Sequence, residues 1–170
     1  TFAKEFMLKY DIPTAFFKSF DNAQKDEAVE FIKNNKKYPL VIKADGLAAG
    51  KGVIIAKNEL EALDSLDSMF SGKFGSAGNR IVIEEFLNGE EASILAITDG
   101  KDLVTLASSQ DHKRIFDGDK GPNTGGMGAY SPVPIVTPEV LEKVKSKILK
   151  PAIEGMIKEG SPFIGCLYVG

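Results

Sequence analysis

Three short segments of this 170-residue sequence gather side chains able to do chemistry. The first is KADGLAAGKG, residues 43–52. Its glycines let backbone approach an anion closely, and Lys43 and Lys51 supply cations near its two ends. The spacing is not that of a Walker A loop, because three residues separate Gly46 from Gly50 and Gly52 follows Lys51 where Ser or Thr is needed. Nor is it a dinucleotide fingerprint, since Gly50-Lys51-Gly52 runs into Val53, Ile54 and Ile55 with no third glycine. The β-rich runs 40–44 and 52–56 on either side read as a hairpin lid, whose backbone N–H groups could cover nucleotide phosphates. A glycine-rich surface turn with solvated lysines would give the same string.

The second segment, VIEEFLNGEEAS at 82–93, sets Glu84 and Glu85 at the end of an apolar strand and Glu90 and Glu91 before the next. Backbone near Phe86 and Leu87 could pair with an adenine edge while a carboxylate accepts ribose hydroxyls. A charged turn at a solvated sheet edge, or a metal site, are the other readings. The third segment joins SQDHKR, with Asp111, His112, Lys113 and Arg114, to PNTGGMGAYSP. Arg114 offers a planar fork to an oxyanion and the glycines allow close approach. His112 is the single histidine and has no evident partner, so it reads as a structural hydrogen-bonder and not a general base. Cys166, among apolar neighbours, reads as inert core.

The elements that must hold these segments follow from periodicity and caps. Phe2, Phe6 and Tyr10 recur at helical spacing before Pro13, and 14–20 reads as a strand. Asp21 with Gln24, and Asn58 with Glu61, are capping pairs ahead of helices. The first helix should bury Ala28, Val29 and Ile32, and the second Leu60, Leu63, Leu66 and Met69. Residues 81–86 form a strand, and 92–97 should pair with 103–107 across Asp99-Gly100. From Gln110 to Gly128 the sequence is polar and aperiodic, a long loop. Thr137-Pro138-Glu139 opens the longest helix, with Val140, Val144, Ile148, Ala152 and Met156 inward and a kink at Pro151. This order suits an α+β protein with antiparallel sheets.

Bulk composition narrows the partners. Lys+Arg 21 against Asp+Glu 24 gives a net charge of -3, so no global positive field draws the chain to nucleic acid or a membrane. One cysteine excludes an internal disulfide and fits a reducing cytoplasm. No apolar run approaches the roughly 20 residues of a membrane helix. The apolar run 163–169 ends the sequence without a following turn, as in a segment of a longer protein.

In this order and spacing, SQDHKR, PNTGGMGAYSP and GEEAS resemble the glycinamide ribonucleotide synthetases (phosphoribosylamine–glycine ligases) of the ATP-grasp family, over essentially the whole chain. The resemblance implies an α+β ATP-grasp fold, incomplete here. Residues 13–86 would be the small lid, and 1–12 with 87–170 part of the larger catalytic subdomain, truncated at its C-terminal end. It implies joining of glycine to 5-phosphoribosylamine in purine biosynthesis, ATP giving ADP and phosphate by way of a glycyl phosphate. ATP would contact Lys43, Lys51, Glu84, Glu85, Phe86, Leu87 and Glu91. Arg114 and Asn123 would stand at the triphosphate or the reacting acyl phosphate, as catalytic groups. Asp111, Lys113, Gly125, Gly126 and Met127 are the substrate candidates.

The same resemblance implies Mg²⁺ or Mn²⁺, held by a Glu and an Asn expected beyond Gly170 in a stretch ending Arg-Phe-Gly-Asp-Pro-Glu, with no metal ligand in this segment. A lysine is expected just ahead of Thr1. The segment by itself should therefore lack ligase activity, its necessary partner being the remainder of its own longer chain. Another ATP-grasp carboxylate–amine ligase, or a nucleotide-binding module without chemistry, are the competing readings.

Overall fold

A computed structural model describes residues 1–46, 52–73 and 75–170, with the side chains of Ser76, Pro122 and Asn123 outside the description. The chain forms two compact units, one of Thr1–Glu5 with Thr14–Asn88 and one of Phe6–Pro13 with Gly89–Gly170. Helix α1 (Phe2–Lys9) contributes residues to both.

In the first unit, β1 (Phe17–Asp21), β2 (Leu40–Ala44), β3 (Val53–Ala56) and β4 (Arg80–Glu85) make an antiparallel sheet in the order β1-β4-β2-β3. Strand β4 is internal, with Glu84 opposite Phe17 on one side and Val41 on the other. Successive side chains on a strand point to opposite faces. Phe20, Leu40, Ile42, Ala56, Ile81 and Ile83 thus join Ala28 and Ile32 of α2 (Lys25–Asn34) and Ala62 and Leu66 of α3 (Glu59–Ser68) in one core, closed by Met69. Both expected caps form. The Asp21 carboxylate accepts from Ala23 N and the Gln24 side chain from Asp21 N; Asn58 Oδ1 accepts from Glu61 N at 2.9 Å. Leu60 departs from expectation, being 69% exposed. It belongs to the first turn of α3, and Ala62, Ser65 and Leu66 carry the buried stripe.

The loop leaving β2 is steered by a close approach. A Cβ on Gly46 would stand 2.7 Å from Ala77 Cα, inside van der Waals contact, so only glycine fits.

In the second unit, β5 (Ile94–Thr98) and β6 (Leu103–Thr105) form the expected hairpin, its turn held by Asp99 Oδ1 accepting from the N–H groups of Lys101 and Asp102. The supposed loop from Gln110 to Gly128 is instead a β-hairpin of β7 (Gln110–Phe116) and β8 (Lys120–Tyr130). Backbone pairing needs no side-chain alternation, and its turn was written in Asp117-Gly118-Asp119, where Gly118 and Asp119 take φ 72° and 55°. Two register shifts, around Lys113 and Ile115, erase the period that a sequence pattern depends on.

Thr137 caps α4 (Pro138–Val144), which runs through a π turn at Lys145–Leu149 into α5 (Lys150–Lys158). Pro151 has no N–H for the helical ladder, and the wider turn ahead of it accommodates that gap. The extra residue shifts the inward stripe by one. Leu149 and Ile153 are buried, while the expected Val140, Val144, Ile148, Ala152 and Met156 are half-buried. Gly155 is also buried, and a Cβ there would stand 2.7 Å from the Phe6 ring.

Strand β9 (Gly165–Val169) pairs with β5, giving the order β6-β5-β9. Cys166 corrects the core reading: it is exposed, because alternation turns Leu167 and Val169 to the more covered side and Cys166 with Tyr168 to the other. No described helix is long and apolar enough to cross a membrane.

Ile83 is 1% exposed at the centre of the first core. Ile83→Ala should cost about 3 kcal/mol of unfolding free energy, against roughly 0.5 or less for Leu60→Ala, in urea titrations of the chain.

Candidate functional site

Strand β2 carries Lys43 one residue before its end, at the start of the glycine-rich segment, and its neighbour β4 supplies that lysine's partner. Lys43 Nζ donates to Glu84 Oε2 at 2.8 Å. The Glu84 side chain is 9% exposed and Lys43's is 40% exposed, so the carboxylate is fixed and the ammonium remains reachable. A second ammonium stands on the other carboxylate oxygen: Lys4 Nζ lies 3.6 Å from Glu84 Oε1. Lys4 is buried, and burial pushes its pKa down, opposed by the Glu84 carboxylate and assisted by the nearby Lys43 charge.

The acidic segment that follows divides its roles. Glu85 turns away from Glu84, its Oε1 accepting from Phe16 N at 2.9 Å while its own N–H donates to Phe16 O. Among the described residues, Phe86 and Leu87 have no backbone hydrogen-bond partner, and Leu87 is 66% exposed. Beside them a cavity of about 640 Å³ opens within the first unit, lined by Phe16, Phe31, Tyr38, Glu85 and Phe86. Asn35, Lys36, Lys37 and Glu84 also line it, so the cleft is mixed aromatic and polar.

In the second unit the β7–β8 hairpin gathers most of the other expected residues. Lys113 Nζ donates to Glu91 Oε1 at 2.7 Å and lies 3.5 Å from Asp111 Oδ2. The Glu91 hydrogen bond raises the Lys113 pKa, with Asp111 adding to it. Gln110 ties this group to the segment before β5 by donating to Glu91 O at 2.7 Å. Arg114 lies opposite Asn123 in the ladder, its Nη1 donating to Gly121 O at 3.2 Å and its Nε 3.7 Å from Asp119. Gly125, Gly126 and Gly128 have open space where a Cβ would stand, and Met127 between them is 60% exposed. That stretch of β8 is bare backbone, accessible to a ligand. His112 stacks on Tyr130 with ring centroids 5.7 Å apart, a packing role.

Lys51 lies outside the described residues, and for Asn123 only the backbone is described. Lys4, and Thr14, whose Oγ1 accepts from Lys4 Nζ, were missed by sequence reasoning. A lysine in a short amphipathic helix ordinarily reads as solvated, and no spacing rule marks this one as buried.

These donors do not fit a divalent cation. Glu84, Glu91 and Asp111 each have a lysine ammonium within 3.6 Å, and among the described residues no three His, Cys, Asp or Glu side chains converge.

The family model for the phosphoribosylglycinamide synthetase ATP-grasp (A) domain matches residues 1–170. A phosphoribosylamine–glycine ligase of Xanthomonas axonopodis pv. citri is 54% identical over 99% of this chain and 39% of its own length. A bifunctional purine biosynthetic protein of Pichia angusta is 55% identical over 100% of this chain and 21% of its own. The crystal structure of a phosphoribosylamine–glycine ligase from Thermotoga maritima superposes with a TM-score of 0.87 at 40% identity, covering 99% of this chain and 42% of that one. A biotin carboxylase domain from Hydrogenobacter thermophilus, 21% identical with a TM-score of 0.70 over 98% of this chain and 35% of that one, shares the ATP-grasp fold. The chain thus spans about two fifths of the ligases that it matches. With its mixed helices and antiparallel sheets, it has an ATP-grasp fold, in part, and belongs to the phosphoribosylglycinamide synthetase family.

Proposed function

We propose that this chain is the ATP-handling part of a ligase that joins glycine to 5-phosphoribosylamine, giving glycinamide ribonucleotide, ADP and phosphate in purine biosynthesis. The observation that carries the reading is Lys43, a reachable ammonium fixed by a buried carboxylate where the glycine loop begins. The names of the relatives supply the substrates.

In this reading the glycine carboxylate attacks the γ-phosphorus of ATP, the bond to the β-phosphate oxygen breaks, and ADP leaves. The amine of phosphoribosylamine then attacks the acyl carbon of glycyl phosphate, expelling phosphate and losing a proton. The first step brings anions together, so catalysis depends on cations and aligned donors more than on a strong base. Lys43 would meet phosphoryl oxygens, with Lys51 from the same loop. Arg114 and Asn123, opposite each other in the β7–β8 ladder, would act on the triphosphate or the acyl phosphate as catalytic groups. The unpaired backbone of Phe86 and Leu87 supports adenine binding by the Glu84, Glu85, Phe86 and Leu87 segment, in which the Glu84 side chain serves Lys43 instead of the base. Glu91 would accept ribose hydroxyls through lone pairs that Lys113 leaves free. Asp111, Lys113, Gly125, Gly126 and Met127 would face glycine and the ribosylamine.

The proposed lid (13–86) is supported by the compact unit containing Thr14–Asn88. Thr1–Glu5 join that unit, whereas the proposed catalytic subdomain (1–12 and 87–170) would group them with Gly89–Gly170. The complete enzyme would work in the cytoplasm, with Mg²⁺ or Mn²⁺ accompanying ATP.

In the complete chain, Lys43→Met should lower turnover by about a hundredfold and also lower the unfolding midpoint, because the buried Glu84 carboxylate loses its close partner and keeps only Lys4. Steady-state ADP release checks the first and thermal denaturation the second. Glu91→Ala should weaken ATP binding by about 1.5–3 kcal/mol in calorimetry; unchanged affinity would remove it from the site. The same substitution should let the Lys113 pKa fall toward the ordinary lysine value, measured by NMR titration of its Nζ or Cε resonances.

A further inference from the structure

The buried ammonium of Lys4 has been given no function so far. It donates to Thr14 Oγ1 at 2.7 Å and to Ala15 O at 2.9 Å, and stands 5.0 Å from the centroid of the Phe17 ring. Those neutral oxygens hold it in place independently of any charge partner, and its remaining contact is Glu84 Oε1 at 3.6 Å. Burying an ammonium group is costly, and a helix that needed only an anchor could use an apolar side chain here.

A lone Lys43–Glu84 pair would be electrically neutral and would hold Lys43 back from an arriving anion. With Lys4 present, two ammonium groups share one carboxylate, and the cluster keeps one net positive charge. Glu84 is also gripped from both oxygens, so it stays in place when a phosphate draws on Lys43. We propose that Lys4 is a positioning residue for the nucleotide, clamping Glu84 so that Lys43 is both fixed and left with a surplus positive charge to offer phosphoryl oxygens. The proposal rests on Lys43 being a nucleotide contact.

The test compares Lys4→Met, Thr14→Val, Lys43→Met and Glu84→Gln, singly and as Lys4→Met/Glu84→Gln, in the complete enzyme. Lys4→Met should raise KM for ATP roughly tenfold, with KM for glycine unchanged. Thr14→Val, which keeps every charge and loosens only the anchor, should move KM for ATP the same way by a smaller factor. In the Glu84→Gln background, Lys4→Met should add less than about twofold, because its effect passes through the carboxylate. If Lys43→Met is damaging but Lys4→Met and Thr14→Val shift only the unfolding midpoint, Lys4 is a structural anchor and the proposal is overturned. If Lys4→Met fails to fold, Thr14→Val decides alone. If Lys43→Met itself leaves KM for ATP and turnover unchanged, the nucleotide reading falls, and this proposal with it.

Discussion

The first unit is organised around a buried carboxylate on its internal strand. Glu84 follows Ile81, Val82 and Ile83, all buried, and its side chain is scarcely more exposed than theirs. An unpaired carboxylate in that position would be destabilising by several kcal/mol, so the strand is tolerable only where ammonium groups arrive from elsewhere in the chain. One comes from the end of β2 and one from α1, elements far apart in sequence.

That constraint also pins register. Strand side chains alternate, so a one-residue slip of β4 would turn Glu84 into the helix-covered core and Ile83 out of it. Because β4 pairs on both edges, with Glu84 opposite Phe17 and Val41, the slip would have to occur against two neighbours at once. An ion pair that contributes little net stability can still specify which pairing is allowed. Here it also aims Lys43.

Much of the framework was legible in sequence because its signals are local. The Asp21 and Asn58 caps, the Asp99-Gly100 hairpin and the strands flanking the glycine loop depend on neighbours a few residues apart. The β7–β8 hairpin was not, since its glycines and register shifts leave no period of two, and the ladder is held by backbone groups common to every sequence. The helix stripe after Thr137 was misplaced by one residue because a π turn changes the period partway along. At the candidate site, residue types were readable from Lys43, Glu91 and Lys113. The pairings of those residues were not, because Lys4 and Glu84 meet across 80 positions of sequence in a contact that no spacing rule encodes.

The two charged clusters have opposite surpluses, and this bears on what each can hold. Lys4, Glu84 and Lys43 leave one net positive charge, which suits a phosphoryl group. Lys113 with Glu91 and Asp111 leaves one net negative charge, which suits donors such as hydroxyl or amine groups. With a net charge of -3 over the whole chain, neither preference can come from a global field. Any preference between anions at one cluster and hydrogen-bond donors at the other must then be set by side chains within a few ångströms of the ligand. The bare glycine backbone of β8 adds donors and acceptors there without adding charge, so the sign of each cluster is fixed by the lysine and carboxylate pairings alone.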